Sequence, residues 1–140
     1  SCEAGSVLTP KLFELESCAN VHHLVSTVEG RLLAGRDALH VLRDCFPGGS
    51  VTGAPKRRAM EIIDQLEPDS RGVYCGSIGY IGFDGQMDTN IAIRTMVHSE
   101  GEIRCWAGGG IVADSRCDSE YQETFDKASV MLEIMRRFSS

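Results

Sequence analysis

Apolar and polar residues switch period several times along this chain, and each switch predicts an element. Residues 5–17 (Gly5-Ser-Val-Leu-Thr-Pro-Lys-Leu-Phe-Glu-Leu-Glu-Ser17) alternate in strand fashion, and residues 21–28 are β-branched and strand-like. Residues 36–45 change to helical spacing, with Ala38, Leu39, Leu42 and Cys45 in register. A breaker-rich loop follows, Pro47-Gly-Gly-Ser-Val-Thr-Gly-Ala-Pro55. Pro55 fits the first turn of a helix whose apolar face is Ala59, Ile62, Ile63 and Leu66, and Pro68 stops that helix. Strand character returns over residues 73–83 and 89–97, joined by the hairpin signal Asp84-Gly85. In the second of these strands Ile91, Ile93, Thr95 and Val97 share one face, and Ala92, Arg94 and Met96 the other. A turn near Ser99-Glu-Gly101 leads to a third strand, 102–107. The expectation is an antiparallel meander with helices before and after it, an α+β pattern without internal repeats.

The last helix follows from angle. At about 100° per residue, Tyr121, Phe125, Ala128, Leu132 and Met135 fall within an arc of roughly 80° and predict the core face. Glu120, Glu123 and Lys127 fall within roughly 60°, centred about 130° away, and predict a separate charged face. Ser119 with Gln122 three residues on suggests a capping box, and acids in the first turn suit the helix dipole.

Composition narrows the function classes. A length of 140 residues fits one domain or part of one, and strand-like residues without a cap or leader at the start read as the middle of a domain. A net charge of −6, with no basic cluster larger than Lys56-Arg57-Arg58, argues against a nucleic-acid partner. No apolar run is long enough to span a membrane, and no signal peptide is expected. The cysteines at 2, 18, 45, 75, 105 and 117 form no C-x-x-C pair and no zinc spacing. Most sit in apolar strings and read as small core residues of a protein in a reducing cytoplasm.

Candidate chemistry gathers near the end of the chain. Gly108, Gly109 and Gly110 strip the side chains from three successive backbone units. They form either a tight bulge or a stretch of N–H groups open to an anion. Glu120, Glu123 and Lys127 are either a solvated face with an i,i+4 ion pair or a paired-carboxylate metal site. The loop Gly48-Gly-Ser-Val-Thr-Gly53-Ala-Pro-Lys56 departs from a P-loop, because Ala and Pro follow Gly53 where Lys and Ser/Thr are required. It still favours a generic anion, with Thr52 offering a hydroxyl. Arg94 is either an edge arginine pointing to water or a partly buried one seeking a carboxylate. Tyr74 is a core aromatic or a hydroxyl donor. His22 and His23 point to opposite faces of their strand, so at most one serves a given site.

Together these strings are more specific than their parts. Val21-His-His-Leu-Val-Ser26, Phe46-Pro-Gly-Gly-Ser-Val-Thr-Gly-Ala-Pro-Lys56, Arg58-Ala-Met-Glu-Ile-Ile63, Gly76-Ser-Ile-Gly-Tyr80, Met87-Asp-Thr, Ile91-Ala-Ile-Arg-Thr95, Ala107-Gly-Gly-Gly-Ile-Val-Ala-Asp-Ser115 and Glu120-Tyr-Gln-Glu-Thr124 with Lys127 run in order. The chain resembles the chorismate-utilising enzymes, which include anthranilate synthase component I, aminodeoxychorismate synthase component I, isochorismate synthase and salicylate synthase. Within that family, the Phe-Pro-Gly-Gly-Ser-Val-Thr-Gly-Ala-Pro-Lys and Glu-Tyr-Gln-Glu-Thr strings look most like the aminodeoxychorismate synthases, with the anthranilate synthases as the alternative.

The resemblance implies a large antiparallel β-sandwich flanked by helices, of which residues 1–140 would be the C-terminal portion. It implies Mg²⁺ with Glu120 and Glu123 in its shell, and an enolpyruvyl carboxylate held by Arg94 and Tyr74. Gly108–Gly110 and Lys127 would lie at the substrate, Thr52 nearby, and His23 would be the active-site histidine. The implied reaction replaces the 4-hydroxyl of chorismate with ammonia from a glutamine amidotransferase partner, on the way to p-aminobenzoate and folate. A nucleophilic lysine and a further metal-shell glutamate belong to upstream motifs of the family. These 140 residues alone are therefore expected to be inactive, and a non-catalytic binding module is the competing class.

Overall fold

The computed structural model describes residues 1–17 and 22–138, and for His22 and His23 the backbone alone. The chain forms two compact units, Ser1–Cys45 with Gly82–Gln86, and Phe46–Ile81 with Met87–Ser140.

In the first unit, β1 (Leu8–Ser17) and β2 (His22–Glu29) pair antiparallel, with Leu15 opposite Leu24 and Ser17 opposite His22. The register slips between Leu8 and Lys11 and again between Lys11 and Glu14. Pro10 lies in the first gap and has no N–H for the ladder. Phe13 lies in the second with φ 52°, and its N–H goes to the Ser26 hydroxyl instead of a strand carbonyl. Every residue of β1 is exposed, its apolar ones included. α1 (Ala38–Cys45) follows, opened by Asp37, whose carboxylate accepts the His40 N–H at 3.1 Å. Both strands and this helix match the periodicity.

The second unit opens with a short helix, α2 (Gly49–Thr52), inside the segment expected to be loop. α3 (Lys56–Leu66) comes next. Pro55 caps it from outside rather than entering its first turn: its ψ is 132°, and its carbonyl takes the first helical bond from Ala59 N–H at 3.0 Å.

β3 (Ser77–Ile81) and β4 (Met87–Ile91) form the expected hairpin, paired from Ser77–Ile91 to Ile81–Met87. Gly79 is required there, because a Cβ at that position would lie 2.0 Å from the Asp88 carbonyl oxygen. The turn at Asp84-Gly85 is wider than a two-residue one and is pinned by Asp84 Oδ1 accepting the Gln86 N–H at 3.1 Å. Within unit two, Cys75 N–H donates to Ala92 O and Ala92 N–H to Gly76 O, which extends the ladder by one pair and leaves Ala92 fully buried.

The continuous strand expected over 89–97 does not form. Arg94 takes φ 50°, in the left-handed region and outside the extended geometry that continues a strand ladder. Ile93 N–H turns back to Ile91 O, and the Thr95 hydroxyl donates to Ile93 O. The chain restarts as β5 (Met96–Ser99), paired with β6 (Glu102–Cys105). The expected three-strand meander is thus two separate hairpins, and the two-face alternation through Arg94 is lost with it. The mixture of helices with antiparallel strand pairs is α+β.

α4 (Cys117–Arg137) closes the chain. Its N-cap is Arg116 without a side-chain cap, so the Ser119–Gln122 capping box does not occur: the helix has already begun two residues before Ser119. Its inward face also differs from the expected arc. Ala128 and Met131 are buried at 8% and 6% exposure, while Tyr121 and Phe125 are 67% and 47% exposed and meet edge to face. Thr124, Lys127, Leu132, Met135 and Glu120 are half-buried. The inward stripe is therefore turned by roughly 60° toward the charged residues. Among the described residues Cys2, Cys75, Cys105 and Cys117 are free thiols, and of these only Cys75 is buried. No described helix is long and apolar enough to cross a membrane.

Arg71 ties the second unit together. Its guanidinium forks onto Glu67 at 2.6 and 2.8 Å, donates to Val51 O at 3.3 Å and to Cys75 Sγ at 3.4 Å, and lies 5.6 Å from the centre of the Tyr74 ring. That one side chain joins α2, the end of α3 and the turn into β3. The hydrogen bonds from Arg71 hold the Glu67 carboxyl below its ordinary pKa. A depressed folded-state pKa gives stability that is complete above the unfolded value of about 4.3 and is lost as pH falls through the folded value. Glu67→Gln should lower stability at pH 7 by about 1 kcal/mol or less, since the pair is partly solvent-screened. The gap to the native chain should close as the medium is acidified. Urea unfolding midpoints across an acid series check this, and a gap independent of pH would show that the charge of Glu67 is not what matters.

Candidate functional site

Tyr74, Glu120, Glu123 and Lys127, four of the residues singled out by pattern, gather around the glycine segment Gly108–Gly110 of the second unit. β6 ends at Cys105, and the chain continues without regular structure through Trp106 to the start of α4. A Cβ at either of the first two glycines would press tightly on neighbouring side-chain ends. A Cβ on Gly108 would sit 3.2 Å from the Tyr74 hydroxyl, and one on Gly109 would sit 3.0 Å from Glu120 Oε2 and 3.5 Å from Glu123 Oε2. Gly110 faces open space. Gly109 is not in the left-handed region, so the reason for glycine is the close approach of carboxylates and not its backbone angle. Among the described residues, no acceptor takes the N–H of Gly108, Gly109 or Gly110. The segment is the open-backbone arrangement rather than a bulge in a sheet.

Tyr74 stands at one end of the segment. It stacks on Trp106 with ring centres 6.4 Å apart and planes 11° apart, and the Arg71 guanidinium packs on its other neighbourhood. Burial pushes its phenol above the ordinary pKa, so near neutral pH it carries its proton and can donate it.

At the other end, α4 supplies the carboxylates. Lys127 Nζ pairs with Glu123 Oε1 at 2.7 Å, and this ammonium holds the Glu123 carboxyl below its ordinary pKa. Glu120 Oε1 accepts the Ser115 hydroxyl at 2.6 Å. Glu120 Oε2 is buried and has no hydrogen-bond partner. A buried carboxylate oxygen without a donor is costly. Two carboxylates one turn apart, with only one of them balanced by Lys127, leave a local excess of negative charge facing bare backbone. The donor set fits a hard divalent cation, which takes oxygen ligands and needs only one or two carboxylates from the protein when other oxygens complete its shell. Among the described residues there is no cluster of three metal-ligating side chains, so this pair alone would be a partial shell.

The remaining candidates are more loosely attached. The Thr52 hydroxyl donates to Gly48 O at 2.6 Å, which leaves only its lone pairs free, and Thr52 joins the cluster at one remove through Val51 and Arg71. Arg94 is exposed on the link between β4 and β5 and is not among the ion pairs of the described residues. His23 lies in β2 of the first unit, and its side chain is outside the described residues. Three contributors escaped the residue-type reading: Arg71 and Ser115, which act on other side chains, and Trp106, the platform for Tyr74. The spacing from Ser115 to Glu120 crosses a helix start, so no periodicity links them.

Residues 1–133 match the family described as chorismate binding enzyme. The chain is 59% identical over 128 residues to aminodeoxychorismate synthase component 1 of Salmonella typhimurium, covering 91% of this chain and 28% of that protein. It is 52% identical over 135 residues to anthranilate synthase component 1 of Streptomyces coelicolor, covering 96% and 26%. Among solved structures, anthranilate synthase component I from Streptococcus pneumoniae superposes with a TM-score of 0.84 at 48% identity, over 90% of this chain and 29% of that one. The chain thus spans under a third of the length of these relatives. With the family matched over nearly all of its residues, and the glycine segment, Tyr74 and the α4 carboxylates drawn together, the chain belongs to the chorismate-binding enzymes.

Proposed function

We propose that this chain is part of an aminodeoxychorismate synthase component I, in which ammonia replaces the 4-hydroxyl of chorismate, with loss of water, to give 4-amino-4-deoxychorismate. The observation that carries the reading is the bare Gly109 backbone lying against the unpartnered oxygen of Glu120. The higher identity to the Salmonella relative than to the Streptomyces one supports the choice within the family. Anthranilate synthase is the alternative.

In this reading Glu120 and Glu123 would hold Mg²⁺ together with substrate oxygens and water. The bound ion would offset the charge of a substrate carboxylate. Tyr74, a neutral phenol whose burial further disfavours ionisation, donates a hydrogen bond to an enolpyruvyl carboxylate. The N–H groups of Gly108–Gly110 add fixed donors that need no reorganisation. Arg94, free of a protein carboxylate, suits a bidentate grip on the same substrate group. Lys127 keeps Glu123 ionised and balances its charge. Thr52 offers acceptor lone pairs, and His23 is assigned to catalysis by its motif alone.

A glutamine amidotransferase subunit or domain would supply the ammonia. Free thiols at Cys2, Cys75, Cys105 and Cys117 support a reducing compartment such as the cytoplasm. The exposed apolar side chains of β1 and β2, among them Leu8, Leu12, Phe13, Leu15, Leu24 and Val28, support these residues being the C-terminal portion of a larger catalytic domain. A lone hairpin cannot bury such side chains and is marginal in water.

The longer polypeptide carrying this segment should turn over chorismate with ammonium and Mg²⁺. Coupled to a lyase, it should yield 4-aminobenzoate; anthranilate as the product would sink the assignment. These 140 residues alone should show no turnover, and any magnesium-dependent activity from them would overturn the claim that the site is completed elsewhere.

Gly109→Ala should lower kcat/KM by on the order of 10- to 100-fold, the scale expected when a catalytic group shifts by less than about 1 Å. Gly110→Ala, where a methyl group meets open space, should lose less. Steady-state kinetics on the two variants tests the contact, and equal losses would refute it.

A further inference from the structure

Ser115 precedes α4, where a serine ordinarily accepts a hydrogen bond from a helix N–H. Here it does not: the N-cap is Arg116, and no side chain caps the helix. The Ser115 hydroxyl accepts instead from the Val112 N–H at 3.0 Å, upstream in the chain, and donates to Glu120 Oε1 at 2.6 Å. A hydroxyl has a single proton, so with the Val112 N–H on its oxygen that proton belongs to the carboxylate. The distance lies in the charge-assisted range for an O–H donor on an ionised acceptor. The backbone fixes the hydroxyl as well, since Ser115 N–H returns to Val112 O at 3.0 Å and closes a turn.

The consequence falls on the other oxygen. Glu120 has three side-chain torsions and, untethered, could turn both oxygens outward. Tethered through Oε1, it keeps Oε2 buried, unpartnered and against Gly109. We infer that Ser115 is the positioning residue for the Glu120 carboxylate, holding one oxygen so that the other stays aimed at a divalent cation, while its bond to Val112 fastens the glycine segment to α4. This rests on the reading of Glu120 as a metal ligand.

The test uses the longer polypeptide and Mn²⁺ as the probe, followed by electron paramagnetic resonance with Mg²⁺ as competitor, with and without chorismate. Ser115→Ala should weaken Mn²⁺ binding by about 10- to 100-fold, the range for loss of a partner behind a metal ligand. In turnover, the Mg²⁺ concentration for half-maximal rate should rise, with kcat largely regained at saturating Mg²⁺. Ser115→Cys, similar in size but a weak donor, should behave like Ser115→Ala and serves if the alanine variant does not fold. Ser115→Thr keeps the hydroxyl and should bind nearly as the native protein does. A purely structural serine would lower the unfolding temperature and leave Mn²⁺ affinity alone; that result, with Glu120→Gln losing the ion, overturns the role of Ser115 only. Threonine binding as poorly as alanine overturns it too. If Glu120→Gln and Glu123→Gln both keep native Mn²⁺ affinity, the metal reading itself falls and the role of Ser115 with it.

Discussion

The fork between Arg71 and Glu67 is the constraint on which the second unit rests. A guanidinium presents its donors in one rigid plane, so two of them on one carboxylate fix the orientation of the rest. Here the rest reach Val51 O and Cys75 Sγ, and the plane lies near the Tyr74 ring. The loop after α3 contains Gly72 in the left-handed region, and this anchor adds to the backbone bonds from Tyr74 N–H to Arg71 O and from Cys75 N–H to Ala92 O that hold it. Tyr74 then passes the constraint to Trp106, and Trp106 leads directly into the glycines. A surface-type ion pair at the end of a helix therefore bears on the geometry of a segment more than thirty positions later in the chain.

At the glycine segment, electrostatics is left unbalanced. Lys127 answers Glu123, and a hydroxyl answers one oxygen of Glu120, but the last oxygen has nothing. Folded proteins rarely leave buried polar atoms unsatisfied, and such exceptions gather at functional sites. The neighbouring backbone adds to the contrast, because three N–H groups without protein acceptors stand beside a carboxylate without a donor. One surface thus offers donors for an anion and an acceptor for a cation.

Periodicity located most of the elements: the strands around Leu8–Ser17 and His22–Glu29, α1, α3 and α4 lie where the spacing predicts them, while the first hairpin forms with its second strand shifted to Met87–Ile91. It failed where a single backbone angle decided the outcome. Nothing about the residue types in Ile91-Ala-Ile-Arg-Thr95 signals that Arg94 adopts positive φ, a choice made by tertiary context. It failed again on the inward face of α4, since the rule that aromatics go inside ranks Tyr121 and Phe125 ahead of Glu120 and Lys127. Local chemistry put Glu120 and Lys127 on the half-buried side instead, while Glu123 stays exposed. The candidate residues were legible through motif strings, while the residues that orient them were not, because Arg71 and Ser115 act through side-chain geometry that leaves no period in the chain.

The rotation of α4 means that its apolar and ionic residues are not separable modules. Glu120, Thr124, Lys127 and Met131 form one stripe, so the azimuth that seats Met131 is also the azimuth of the Glu120 carboxylate. A residue three turns along the helix thereby becomes a setting for the polar end, as a key's bow sets the angle of its bit. Selection on the packing of Met131 and Ala128 is then also selection on where charge points. Drift in the hydrophobic stripe would register as altered chemistry before it registered as loss of fold.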